Sequence, residues 1–162
     1  MADRLSTRAI VVHCSATRAA QDVGVAEIRG WHLTRGFSDI GYAVVIRRSG
    51  VIEMGRPIPA VGAHVQGRNH DTVGVCLVGG LDEQGAPEMN YTPGQWAALS
   101  IAIKFLRATY PSAEVVGHRD LSPDLNQDGK ITPNEWLKAC PCFDVRAWVR
   151  ELMPVTGPAK AA

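Results

Sequence analysis

Two histidines and one cysteine stand where ordered elements of this chain are expected to end. His13 closes the apolar run RAIVVHC, His118 closes EVVGH, and Cys140 follows a short helical stretch and precedes a proline. Imidazole nitrogen and thiolate sulfur are donors that zinc prefers, and hydrolytic zinc sites take three such ligands and leave one position for water. A histidine at a strand end is more often structural, however, and spacing alone does not fix the trio. The residue types make a three-ligand zinc site plausible without establishing it.

A second metal-binding pattern lies between His118 and Cys140, in the sequence DLNQDGKITPNE at 124–135. It matches an EF-hand calcium loop at every position, including the glycine at the sharp turn and the final glutamate. The alternative is a polar turn, because Asp, Asn and Gly are common turn residues. Pro123 disfavours a regular entering helix, so the pattern predicts a single EF-hand-like loop rather than a paired sensor. The predicted calcium ligands are Asp124, Asn126, Asp128, Lys130 through its carbonyl, Thr132 and Glu135.

The segments that must hold these residues alternate between strand-like and helix-like patterns. Short β-branched runs indicate buried strands, and Ser49-Gly50 between two of them indicates a hairpin with a two-residue turn. Thr92 followed by Pro93, with apolar residues at helical spacing afterwards, indicates the start of the longest helix. We predict strands at residues 8–14, 42–48, 51–54, 72–78 and 114–117, and helices at residues 25–35, 93–108 and 143–152.

Interleaved strands and helices predict an α/β fold, in which helices flank the central mixed β-sheet of a single domain. The length of 162 residues fits one domain. We place that domain at residues 1–153, with the calcium loop as an insertion and a flexible Pro/Gly/Ala-rich tail at 154–162. The formal net charge of +1 predicts no nucleic-acid partner and no polybasic lipid-binding patch. No apolar run is long enough for membrane insertion.

Seven segments, in order along most of the chain, form one series of motifs: VHCSAT at 12–17, AEIRGWHLTRG at 26–36, DIGYAVVIRRSG at 39–50, VGAHVQGRNH at 61–70, TVGVCLVGG at 72–80, GHRD at 117–120 and KACPCFDV at 138–145. This series resembles the type 2 N-acetylmuramoyl-L-alanine amidases, and among them the small phage endolysins. The same fold occurs in the peptidoglycan recognition proteins, some of which have lost the zinc. The resemblance implies a zinc site on His13, His118 and Cys140, the trio that the residue types suggest.

The resemblance also implies roles for residues beside the metal. Lys138 would stabilise the oxyanion, and Tyr42 would bond the attacking water or pass a proton to the leaving amine, which makes these two the predicted catalytic residues. His64 is predicted to bind substrate or to hold a protonation state near the metal. The alternatives are a solvated lysine, an aromatic residue that caps the sheet, and a histidine with no role in the site. His32, on the predicted first helix, is expected to be structural.

Three further residues near the predicted site are not assigned as ligands. Cys14 neighbours His13 but alternates to the opposite face of its strand. Cys142 could compete with Cys140 for the metal, and the family match favours Cys140. Ala43 stands where relatives often carry a histidine, so specificity or rate would differ if that position touches substrate.

The sequence therefore predicts a zinc-dependent amidase that cuts between N-acetylmuramic acid and L-alanine in peptidoglycan, with Zn²⁺ catalytic and Ca²⁺ structural. The start of the chain lacks the apolar core of a signal peptide, so we expect a phage or prophage endolysin that is made in the bacterial cytoplasm and reaches the wall after release. We also expect a monomer. Without export, metal binding or burial is a better explanation of the four cysteines than disulfides. The alternatives are a cytoplasmic muropeptide-recycling amidase, a non-catalytic peptidoglycan-binding module, and a regulatory calcium-binding protein.

Overall fold

Residues 2–153 are described by a computed structural model, and the predicted tail at 154–162 lies outside the described residues. The strands are β1 (Ala9–Cys14), β2 (Thr17–Arg18), β3 (Val44–Ile46), β4 (Ile52–Met54), β5 (Thr72–Leu77), β6 (Gly80–Leu81) and β7 (Glu114–Gly117). The helices are α1 (Val25–Thr34), α2 (Pro93–Thr109) and α3 (Val145–Leu152), with short 3₁₀ helices at His118–Leu121 and Pro133–Glu135.

Five strands form one mixed sheet in the order β4-β3-β5-β1-β7. The pairs β3–β5, β5–β1 and β1–β7 are parallel, and β3–β4 is antiparallel. The predicted mixed sheet with one antiparallel hairpin is therefore confirmed. The strands β2 and β6 form a separate two-stranded parallel sheet. The sequence did not predict it, because two residues are too few to carry an alternating pattern.

Helices cover both faces of the large sheet. On one face, Leu99 and Ile103 of α2 pack with Ile10 of β1 in the largest core cluster, which α3 also joins. On the other face, Ile28 of α1 packs with Val45 of β3. This arrangement confirms a single α/β domain with flanking helices.

Two helix starts follow from side-chain caps. Thr92 Oγ1 accepts from Gln95 N at 3.1 Å, and Gln95 Oε1 accepts from Thr92 N at 3.1 Å, so the predicted start of α2 is confirmed. The last helix begins at Val145, two residues later than predicted, because Asp144 Oδ1 accepts from Ala147 N at 2.8 Å and so caps it.

The hairpin between β3 and β4 has a longer connection than predicted. Arg47 O accepts from Gly50 N at 2.9 Å, and Arg47 N donates to Val51 O at 2.9 Å, so the loop has three residues rather than two. Gly50 has φ of 88°, the left-handed conformation that closes a three-residue loop of this type. The prediction of a two-residue turn was wrong because Ser49-Gly50 is only the last part of the three-residue loop.

The carboxyl ends of β1 and β7 bring two predicted ligands to one edge of the sheet. The register pairs Val12 with Gly117, and the residues that follow are His13 and His118. Parallel pairing thus places these two histidines beside each other although 104 residues lie between them in the sequence.

Candidate metal centre

The structure brings His13, His118 and Cys140 together, with one donor atom of each residue within 4.8 Å of the others. Cys140 Sγ lies 3.9 Å from His13 Nδ1. The backbone N–H of Cys14 donates to the same sulfur at 3.2 Å. The neighbouring Cys14 side chain and burial nevertheless raise the pKa of Cys140 well above its ordinary value, so Cys140 is held as a thiol until a metal displaces its proton. The geometry is therefore that of a three-donor group of two imidazoles and one thiol.

Contacts outside the donor set hold Cys140 in place. Arg119 N donates to Cys140 O at 2.8 Å, which ties this segment to the short helix that begins with His118. The buried hydroxyl of Tyr91 donates to Pro141 O at 2.7 Å. Because both bonds involve backbone carbonyls, they fix the position of the chain and leave the thiol free.

Burial and neighbouring charges keep the two candidate ligand histidines neutral at neutral pH. Burial lowers the pKa of His13 well below its ordinary value, and the neighbouring His64, His118 and Lys138 lower it further. Burial also lowers the pKa of His118, again with a contribution from Lys138. A neutral imidazole keeps a lone pair for a metal, so the donors are ready to bind at neutral pH.

The lowered histidine pKa values predict acid sensitivity of the metal-free protein. Burial lowers the pKa of His64 from 6.5 to about 4. The unfolded chain therefore binds a proton as the pH falls below 6.5 while the folded chain does not, and the free energy of unfolding decreases with it. We expect His64 alone to remove roughly 2–3 kcal/mol between pH 7.5 and pH 4.5, with more from His13 and His118. Urea unfolding of metal-free protein at the two pH values measures this, and a flat stability across the window would contradict it.

A cleft of about 690 Å³ opens at this edge of the sheet and contains the candidate centre. Tyr42, His64 and Lys138 line it, so the structure gathers all the predicted catalytic and substrate-binding residues around the three donors. The cleft is large enough for a small ligand or a segment of a polymer.

Tyr42 stands over the centre with its ring centroid 5.1 Å from that of His13. Burial raises the pKa of its hydroxyl well above the ordinary value, so Tyr42 stays protonated and able to donate. His32 positions this segment, because its Nδ1 accepts from Gly41 N at 2.9 Å. That contact agrees with the structural role predicted for His32.

His64 contacts a candidate ligand directly. Its Nδ1 lies 2.9 Å from His13 Nε2. Asn69, which the sequence analysis missed, holds the loop, because its Oδ1 accepts from His64 N at 2.7 Å and from Val65 N at 2.9 Å. An asparagine in a loop gives no sequence signal for this role, since it depends on where the chain returns.

The residues left out of the predicted site do not belong to the three-donor group. The side chain of Cys14 packs with Ile10 in the main core cluster, on the opposite face of β1 from His13, although its backbone N–H bonds the Cys140 sulfur. The thiol of Cys142 donates to Gly80 O at 3.4 Å, and Cys142 is not a member of the three-donor group. Ala43 is 5% exposed and belongs to the same core cluster, so it does not line the cleft.

The predicted calcium loop forms a series of tight turns. Asp124 Oδ2 accepts from Gly129 N at 2.8 Å, and Asp128 Oδ1 accepts from Lys130 N at 2.8 Å. Gly129 has φ of 80°, which agrees with the need for glycine at the sharp turn. Glu135, at the end of the loop, faces back into it.

The loop carboxylates mostly accept hydrogen bonds from the backbone of the loop, and they do not form a three-donor group like that of His13, His118 and Cys140. Glu135 Oε1 accepts from Leu125 N at 2.9 Å, and Oε2 accepts from Thr132 N at 2.8 Å. Asp124 Oδ1 is buried and has no hydrogen-bond partner within residues 2–153. Across those residues, a three-donor group at metal-binding spacing occurs at His13, His118 and Cys140 and not among the loop acids.

The end of the calcium-loop segment contacts the residues that follow His118, next to the candidate metal centre. The Arg119 guanidinium carbon lies 4.2 Å from the centroid of the Trp136 ring. Leu137 N donates to Ser122 Oγ at 3.1 Å. These contacts lie one and two residues before Lys138, so the loop and the cleft share one stretch of backbone.

The sequence and the fold are both similar to known proteins. The family model described as N-acetylmuramoyl-L-alanine amidase matches residues 3–135. The endolysin of Enterobacteria phage K11 is 48% identical over 147 residues, covering 91% of this chain and 88% of that protein. The endolysin of Escherichia phage T7 is 44% identical over 145 residues, covering 90% of this chain and 87% of that protein.

Among solved structures, the chain is similar to the N-acetylmuramoyl-L-alanine amidase LysC from Clostridium intestinale. The two share a TM-score of 0.68 and 25% identity, covering 91% of this chain and 83% of the other. Within residues 2–153, no helix has both the length and the apolar character needed to cross a membrane.

Proposed function

Because this chain belongs to the N-acetylmuramoyl-L-alanine amidase family, we propose that zinc held by His13, His118 and Cys140 is its catalytic metal. The enzyme hydrolyses the amide bond between N-acetylmuramic acid and L-alanine in peptidoglycan, the reaction that gives the family its name. The observation that carries the zinc proposal is the convergence of two imidazoles and one thiol within 4.8 Å in the lining of the cleft.

The donor set fits zinc in number and in chemistry. Two nitrogens and one sulfur are common ligands of catalytic zinc, and three protein ligands leave one position open to the cleft. The pKa values of both histidines are lowered by burial, so their lone pairs are available at neutral pH. When bound, zinc supplies the chemistry of this class, which is activation of water and polarisation of the scissile carbonyl.

Lys138 and Tyr42 are the groups we propose to act on the reacting amide. Lys138 is exposed at the cleft, and its ammonium is close enough to lower the pKa of both ligand histidines. A cation there stabilises the negative charge that develops on the carbonyl oxygen. The protonated hydroxyl of Tyr42 hydrogen-bonds the attacking water or passes a proton to the leaving amine.

The test of the activity is release of new peptide amino termini from purified peptidoglycan. We expect amino termini on L-alanine and no new reducing sugar ends, because the amide bond and not the glycosidic bond is cut. Binding of sacculi without release would instead support a non-catalytic recognition module. A comparison of crosslinked sacculi with soluble muropeptides distinguishes an endolysin from a recycling amidase, and we propose the endolysin, acting as a monomer on the wall after release.

We also propose that the loop at 124–135 binds calcium as a structural ion. Three carboxylates lie in twelve residues whose pattern is that of an EF-hand loop. The buried and unpartnered Asp124 Oδ1 supports the proposal, because an orphaned carboxylate oxygen is costly unless a cation or water satisfies it. Calcium there would order the segment that leads through Trp136 to Lys138 and Cys140.

Calcium removal should lower the thermal stability of the zinc-loaded enzyme. At free calcium about 100-fold above the dissociation constant, binding contributes about 2.7 kcal/mol, which corresponds to a rise in Tm of roughly 5–10 °C. Zinc-loaded protein is compared in a calcium-selective chelator with and without excess calcium, by calorimetry and by turnover. Full activity and an unchanged Tm without calcium would exclude the structural role.

A matched pair of variants separates calcium binding from turn formation. Asp124→Asn should lose the calcium-dependent rise in Tm, because the charged ligand is gone. Asp82→Asn is the control, since Asp82 Oδ1 accepts from Gln84 N and Ala86 N in another exposed turn outside the loop. It should keep the full response to calcium.

A further inference from the structure

The two ring nitrogens of His13 face different partners. Nδ1 lies 3.9 Å from Cys140 Sγ, on the side of the donor group. Nε2 lies 2.9 Å from His64 Nδ1, on the side away from it. The other nitrogen of His64, Nε2, lies 3.4 Å from both the carbonyl oxygen and the hydroxyl of Thr72. A hydrogen-bonded chain therefore runs from the centre, through two imidazoles, to the backbone of β5.

Thr72, at the β5 end of this hydrogen-bonded series, determines which ring nitrogens of His64 and His13 carry a proton. Thr72 O has no proton, and the Thr72 hydroxyl donates its own to Arg68 O at 2.6 Å. Both groups can therefore only accept from His64, so the proton of neutral His64 is on Nε2. His64 Nδ1 is then an acceptor, and His13 must donate from Nε2. The lone pair of His13 is left on Nδ1, where it faces Cys140.

The fold holds His64 tightly in this orientation. A Cβ at Gly62 would lie 2.5 Å from His64 Cδ2, and a Cβ at Gly74 would lie 2.8 Å from His64 Cγ. Any side chain at either position would displace the ring. Asn69 fixes the backbone of His64 from the other side. Such close packing around one ring is what a fixed hydrogen-bond geometry requires.

We infer that His64 is a positioning residue, which fixes the tautomer and orientation of His13 so that Nδ1 is presented to the metal. The inference rests on the proposed zinc function and gives His64 a definite role within it. A ligating histidine usually donates its other N–H to a carboxylate, a backbone carbonyl or water. Here a second histidine takes that place and passes the bond on to a backbone carbonyl. His64 acts through His13 and not through contact with substrate.

The test is zinc affinity measured by chelator competition, without substrate. His64→Leu removes the acceptor for His13, and we expect zinc affinity to fall about 10–100-fold. His64→Asn keeps an acceptor, because its amide oxygen can stand where Nδ1 stands, and should stay within a few-fold of wild type. His64→Gln places its amide nearer the position of Nε2 and should be weakened like His64→Leu. The visible spectrum of the cobalt-substituted proteins should follow the same order, since it reports ligand geometry.

The outcomes separate this inference from its premise. If wild type binds no zinc in stoichiometric amount, the zinc proposal fails, and the role of His64 fails with it. If wild type binds zinc and His64→Leu binds it equally well while KM rises, His64 is a substrate-binding residue and the inference is wrong. If His64→Leu does not fold in its metal-free form, the comparison of His64→Asn with His64→Gln carries the test. Equal zinc affinity in those two would overturn the positioning role.

Discussion

We expect Cys140→Ser to abolish tight zinc binding and to lower amidase turnover by about 10³-fold or more. The sulfur of Cys140 is the only thiol in the three-donor group of the described residues. Serine cannot replace it, because a hydroxyl stays protonated where a thiolate forms. Zinc contributes several kcal/mol to stabilisation of the transition state, and each 1.36 kcal/mol is a factor of about ten in rate. Zinc content is measured on purified protein, and turnover as release of amino termini from sacculi.

Cys142→Ser is the matched control for this prediction. It makes the same substitution two residues away, at a thiol that donates to Gly80 O at 3.4 Å. We expect it to keep one zinc per chain and near-normal turnover. Loss of zinc from Cys142→Ser together with retention by Cys140→Ser would reverse the assignment of the third ligand. His118→Ala should behave like Cys140→Ser, since it removes another donor of the same group.

Lys138→Ala should lower kcat about 10²–10³-fold while zinc binding is kept. That range is typical for the removal of one group that stabilises an oxyanion. The side chain lines the cleft beside the donors without belonging to the donor group, so its loss removes charge stabilisation and leaves the metal in place. Steady-state kinetics on a soluble muropeptide separate kcat from KM, and metal analysis of the same sample gives the zinc content.

Lys104→Ala is the control for the loss of one positive charge. Lys104 is exposed on α2 and does not line the cleft. It should leave kcat unchanged, whereas a general effect of net charge would move both variants together. A normal kcat for Lys138→Ala with only a raised KM would assign Lys138 to substrate binding and remove it from the chemistry.

The sequence by itself predicted the longer strands and the helices, and it proposed the three candidate donors. Strands such as β1 and β7 are short β-branched runs, and the start of α2 carries its own cap in Thr92. These signals depend on neighbouring residues, so they can be read without the fold. His13, His118 and Cys140 could be proposed because each closes an element or follows one, and the ordered family motifs select the same trio.

The length of the loop between β3 and β4, and the side of the sheet that the Ala43 side chain faces, could be determined only from the tertiary structure. Gly50 marks a turn in the sequence, but the length of the loop depends on how β3 and β4 pair. Ala43 is next to Tyr42 in sequence, yet it faces the main core while Tyr42 lines the cleft. Successive residues of an extended segment point to opposite sides, and only the assembled sheet decides which side is the cleft.

The hydrogen-bond partner of His13 also could not be predicted from the sequence. His64 lies 51 positions away in sequence, in a loop with no regular periodicity, and the sequence left open whether it binds substrate or acts near the metal. Its place is determined by Gly62, Gly74 and the side chain of Asn69, and it meets His13 only after β1 and β5 pair. Local patterns therefore predict which residues are candidates for the chemistry. The non-local contacts determine which nitrogen of His13 faces the donor group, because hydrogen-bond direction depends on three-dimensional position.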